Sequence, residues 1–255
     1  MTVRLNYKSF GQGRPLIILH GLFGMLDNWQ TLARQFAEHY EVYLLDIRNH
    51  GKSPHTSSFS YAEAADDIRR FMSERGLSQA HVMGHSMGGK VAMVFCEQCG
   101  HMVDKLIIVD IAPKAYDGGH EAIFKAIADV DLDCIESRSE VDIQLSGTIM
   151  DKGVRLFLMK NLTRRPEGGY MWKANFEVLR ANYPAIMTEV LHGTVIDNDT
   201  LFIKGAESHY ILEEDVLMIN ERFSRATMKR VEGAGHWVHA QQPDELFMLV
   251  HHFLG

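Results

Sequence analysis

The stretch Ala80-His81-Val82-Met83-Gly84-His85-Ser86-Met87-Gly88-Gly89 decides how this chain folds. Its first four residues form a short buried run, as expected of a strand with cover on both faces. From Met87 to Cys99 the chain reads as a helix. Between the two stands Gly84-His85-Ser86-Met87-Gly88, a G-x-S-x-G turn in the strand–turn–helix setting that motif requires. A side chain at the tip of so tight a turn strains the backbone, and flanking glycines let neighbouring segments approach. The result is an exposed hydroxyl at a helix N-terminus, where free N–H groups and the helix dipole favour developing negative charge. Ser86 is therefore a candidate nucleophile; the plainer reading is a Ser-Gly turn with no chemistry.

Outward from this turn, strands and helices alternate, which predicts an α/β fold: a mostly parallel, doubly wound sheet. Pro15 to Leu19, Glu41 to Asp46, Lys105 to Asp110, Thr200 to Ile203 and Thr227 to Val231 read as strands. Trp29, Leu32, Ala33 and Phe36 have helical spacing after Asp27, and Ser60 and Glu63 form a capping box before a helix over 61–74. Helices are also expected over 213–223 and 244–253. From about 114 to 193 the alternation stops. Apolar stripes such as Ala122/Ile123/Ala126/Ile127/Val130 and Val154/Phe157/Leu158/Leu162 indicate helices and no strand. The expected organisation is a core of residues 1–113 and 194–255, with a helical cap inserted at 114–193.

Composition limits the class of function. The chain has 255 residues, 46% of them hydrophobic, and a net charge of −7. That charge argues against a nucleic-acid partner, which needs a dense basic footprint. No apolar stretch reaches bilayer length, and the three cysteines suit a reducing compartment. A cytoplasmic protein with no membrane partner, monomeric or homodimeric, is expected. Cys96 and Cys99 read as packed thiols, since a zinc site needs about four ligands and no second cysteine pair exists. No metal or cofactor is expected.

A serine nucleophile needs a base, an acid and an oxyanion site. Among 14 histidines, His236 in Gly233-Ala234-Gly235-His236-Trp237 follows the last strand, in a loop at a strand end, where such folds present their sites; His239 is the nearest rival. His20 and His85 read as buttresses of their turns. The N–H groups of Leu22 and Met87 are the candidate oxyanion donors, with Phe23 as the alternative to Leu22. For the acid, the loop Gly205-Ala206-Glu207-Ser208 offers serine where aspartate would be anticipated. Asp110, closing a buried strand, is preferred because a charge there must be paired; Glu207 and Asp46 remain alternatives. Phe23, Met25 and Trp237 are candidate substrate-lining residues.

The motifs HGLFG (20–24), DIRNHGKS (46–53), GHSMGGK (84–90), VDIAP (109–113) and GAGHWVHAQQPD (233–244) together resemble the small bacterial esterases of the YbfF type, in the α/β-hydrolase superfamily. The resemblance spans essentially the whole chain and is loosest in the insert. It implies the triad Ser86, Asp110 and His236, and hydrolysis of short acyl esters and acyl-CoA thioesters. Residues 46 and 48–51 match a family turn that reads as structural. Lys160, Arg164 and Arg165 read as a solvated basic turn, the sharper alternative being a contact with the phosphates of CoA. Carbon–carbon bond hydrolysis by a serine triad and a non-catalytic ligand receptor are the rival readings.

Overall fold

Strands apolar at every position cannot leave one face to water and must be covered on both. The structure, a computed structural model describing residues 1–255, places them in one seven-stranded sheet. Its strands are β1 (Tyr7–Phe10), β2 (Arg14–Leu19), β3 (Tyr40–Leu45), β4 (Ala80–His85), β5 (Val103–Val109), β8 (Asp199–Gly205) and β9 (Ala226–Val231), while β6 (Leu162–Arg164) and β7 (Tyr170–Trp172) form a separate hairpin. The order is β1-β3-β2-β4-β5-β8-β9. All pairings are parallel except the edge pair β1–β3. Strand β1 is half exposed and was not anticipated; its polar, alternating sequence gives little apolar signal.

Successive strand residues face opposite layers. Ile17, Leu19, Leu106 and Ile108 pack into the larger core under α2 (Tyr61–Arg75) and α3 (Met87–Cys99). Leu16, Ile18, Ile107 and Val109 pack into the other, against α1 (Gln30–Phe36) and the C-terminal helix (Pro243–Leu254). The Ser60 hydroxyl accepts the Glu63 N–H at 3.2 Å, so the expected capping box opens α2. Cys96 and Cys99 are buried free thiols, and burial raises both above the usual thiol range.

Between β5 and β8 the chain forms α4 (Glu121–Ala128), α5 (Arg138–Ser146), α6 (Lys152–Met159), the β6–β7 hairpin, α7 (Phe176–Ala181) and α8 (Tyr183–Met187). The hairpin corrects the expectation of helices alone. Leu162 opposes Trp172 and Arg164 opposes Tyr170, the two strands turning through Pro166 to Gly169. Leu162, the last member of the Val154/Phe157/Leu158/Leu162 stripe, lies in the hairpin rather than in a helix. Three-residue strands carry too little periodicity to be told from a helix end.

Candidate active site

Pairing register brings the motif loops together. Leu19 lies opposite Gly84, and His85 opposite Val109. The chain therefore leaves the carboxyl ends of the central strands β2, β4 and β5 side by side, giving the 20–24 loop, Ser86 and Asp110. Ser86 has φ 53° and ψ −123° at the N-cap of α3, a region L side chains enter only under constraint. Gly88 permits the turn: a Cβ there would lie 2.4 Å from the His20 carbonyl oxygen. Likewise a Cβ on Gly205 would stand 2.2 Å from the Gly235 oxygen, so a bare β8 terminus lets the His236 loop approach.

His236 Nε2 lies 3.0 Å from Ser86 Oγ, and its Nδ1 lies 2.7 Å from Asp110 Oδ2. Asp110 is fully buried. Its Oδ1 accepts the Gly205 N–H at 3.0 Å, and its Oδ2 also accepts the Ser208 hydroxyl. The serine found where aspartate was anticipated thus serves the acid from the next strand. Glu207 is exposed and makes only a backbone bond, to Ala234 O; Asp46 is engaged by Leu26 N–H, Lys52 N–H and Asn6. Neither contacts His236. The rival His239 stacks on Trp29 at 4.4 Å between centroids, and burial lowers it to about 3.

The N–H groups of Leu22 and Met87 have no hydrogen-bond partner in the protein. The N–H of Phe23 is committed to His50 Nε2 at 3.3 Å, which sets Phe23 aside as donor. His50 donates from Nδ1 to Arg48 O (2.9 Å). His20 similarly donates from Nδ1 to Gly21 O (2.8 Å) and accepts Ile47 N–H at Nε2 (3.0 Å). Each imidazole needs its bare Nε2, and burial lowers His20 to about 4 and His50 to about 3. His85, also held low by burial, donates to the His236 carbonyl at 2.8 Å. These are buttresses.

A cavity of about 380 Å³ opens at Ser86 and His236, with Phe23, Phe157, Tyr210 and Trp237 in its walls. Met25 is a correction: it does not line this cavity, being packed in the core with its sulfur 3.7 Å from Lys173 Nζ. Sequence reasoning missed Tyr210, whose ring stacks on His236 at 3.7 Å and 14°. It also missed that Val154 and Phe157 face the cavity, because a stripe toward a substrate looks like a stripe toward a core. Arg164 lies over the Tyr170 ring and Arg165 pairs with Asp133; neither they nor Lys160 line the cavity.

A parallel sheet that holds a strained serine between strand and helix defines the α/β class of hydrolytic enzymes. The chain belongs to the α/β hydrolase fold family, whose model matches residues 14–243. It is 37% identical to a putative esterase/lipase of Haemophilus influenzae, over 94% of this chain and 82% of that one. It is 34% identical to esterase YbfF of Escherichia coli, over 94% and 92% respectively. A solved marine microorganism esterase superposes with a TM-score of 0.97 at 38% identity, covering 99% of this chain and 100% of that one. No helix is long and apolar enough to cross a membrane.

Proposed function

We propose that this chain is a serine esterase that hydrolyses short acyl esters, and acyl-CoA thioesters by the same chemistry, through an acyl-enzyme on Ser86. The observation that carries the reading is the hydrogen-bonded relay from Ser86 Oγ through His236 to buried Asp110. His236 takes the Ser86 proton as Oγ attacks the carbonyl carbon. The oxyanion is received by the N–H groups of Leu22 and Met87, each such donor typically being worth about 3–4 kcal/mol in the transition state. Asp110 keeps a proton on Nδ1 and stabilises the imidazolium. His236 then protonates the leaving alcohol or thiol, and water repeats the sequence on the acyl-enzyme. Residues 114–193 act as a cap over the site. The cap contributes Phe157 to the cavity wall, and its Asn161 donates to the Phe23 carbonyl at 2.7 Å.

Ser86→Ala is expected to lower turnover of nitrophenyl acetate by about 10³-fold or more, since such triads act as a unit. A fluorophosphonate should modify the wild-type protein at Ser86, read by peptide mass spectrometry. Persistent turnover without Ser86, or labelling elsewhere with full inactivation, would remove the serine from its role.

A further inference from the structure

Ser86 stands where two cavities meet. The larger, of about 380 Å³, contains the imidazole of His236 and the indole of Trp237. The smaller, of about 20 Å³, lies between Met87, Ile111, Tyr116, Ile186 and Met187. His236 does not line it. We propose that the small cavity is the acyl compartment and the large one the leaving-group compartment. The enzyme then selects acyl groups by length and accepts bulky alcohols or thiols. This assignment rests on acyl transfer at Ser86 as proposed above.

The chemistry at the tetrahedral carbon assigns the directions. One bond runs to Ser86 Oγ, and the oxyanion faces the N–H groups of Leu22 and Met87. When the bond to the leaving atom breaks, its electron pair departs with that atom. The leaving atom takes from His236 Nε2 the proton that Ser86 gave up. It must therefore lie on the imidazole side, in the large cavity. The acyl chain has the remaining direction, between Met87 and Met187. A cavity needs about 10–15 Å³ to admit one water, so the small one takes a methyl or ethyl group beyond the carbonyl and no longer chain.

Its far wall is also pinned. The Tyr61 hydroxyl donates to Ile186 O, and Tyr116 N–H donates to Met187 O at 2.9 Å. The Lys90 ammonium, buried four residues after Ser86, donates to Thr188 O at 2.6 Å and Lys114 O at 2.8 Å. A longer chain would have to displace backbone anchored at several points.

The test compares kcat/KM for nitrophenyl acetate, propionate, butyrate and hexanoate, and for phenyl against naphthyl acetate. Hexanoate should fall at least about tenfold below propionate, while naphthyl acetate stays within about threefold of phenyl acetate. Met187→Ala should raise the hexanoate-to-acetate ratio about fivefold or more. Ile111→Val, which removes one methyl group, should move it the same way by less. Val154→Ala, in the large cavity, should shift the naphthyl-to-phenyl ratio instead. A flat acyl series with an inactive Ser86→Ala variant overturns the compartment assignment and leaves the acyl-enzyme standing. So does an acyl ratio that follows Val154 rather than Met187. Turnover in Ser86→Ala would instead remove the acyl-enzyme itself.

Discussion

Asp110 shows how much one buried side chain is constrained by its neighbours. Its carboxylate has no access to water and is satisfied by Gly205 N–H, the Ser208 hydroxyl and His236. Asp110→Asn would present an amide to Nδ1 and favour the wrong imidazole tautomer. Turnover should fall by about 10³- to 10⁴-fold, while Glu207→Gln stays within about twofold of wild type. Steady-state kinetics on the two variants would reverse the assignment if Glu207→Gln were the inactive one. The two turn histidines carry a different consequence. Their folded-state values, about 4 for His20 and about 3 for His50, lie below the unfolded 6.5. The unfolded chain therefore binds more protons as pH drops. The stability they support is complete above pH 6.5 and is lost as pH falls to about 4 for His20 and about 3 for His50. Each should contribute a slope of about 1.4 kcal/mol per pH unit. Urea unfolding at pH 7, 6 and 5 measures it, and replacing His50 with Gln should shallow the slope by about one proton.

At the scale of elements, the turn after β3 joins the site to the helical layer. Arg48 makes a bidentate pair with Asp67 of α2 at 2.7 and 2.9 Å, both side chains being buried, and reaches Glu63 at 2.9 Å. The same turn supplies His50 to the Phe23 N–H and Asp46 to the Leu26 N–H. Removing one partner of a buried pair leaves an uncompensated charge, at a cost of about 3–5 kcal/mol. Asp67→Ala should lower unfolding free energy by that amount in urea titrations; a change below about 1 kcal/mol would show that the pair is not what fastens turn to helix. The main strands of the sheet were legible because Leu16 to Leu19 and Leu106 to Val109 are apolar without interruption and Ala80 to Met83 is broken only by His81. The β6–β7 hairpin was not, since its residues share one apolar period with the helices around it. The register that sets Gly84 beside Leu19 is a property of paired strands and has no local signature.

For the molecule as a whole, the segment 114–193 is bound to the core by shared apolar packing and by specific hydrogen bonds at its stems. Its two stems bond each other through Val190 N–H to Pro113 O at 2.8 Å, and Lys90 of α3 bonds both. Burial, with only distant compensation from Glu189, lowers that ammonium to about 7. Lys90→Met would leave the Lys114 and Thr188 carbonyls without their donor, a loss of about 1.5–3 kcal/mol for hydrogen bonds from a charged group. Amide exchange over 113–117 and 186–190 should then accelerate about tenfold or more while β4 and β5 keep their protection. Unchanged exchange in the stems would mean that packing alone holds them.

Local chemistry was enough for the alternation of strands and helices, the strained serine turn and the choice of Ser86 and His236 as candidates. Each depends on residue types within a few positions of one another. Glycine, serine and apolar runs act on the backbone where they stand. Tertiary structure decided the rest. It set Asp110 rather than Glu207 beside the His236 ring, gave Ser208 to that carboxylate, took Met25 out of the cavity and brought Tyr210 against His236. Those outcomes depend on which strand ends lie side by side, and hydrogen bonds and exclusion from water are set by distance in space rather than along the chain.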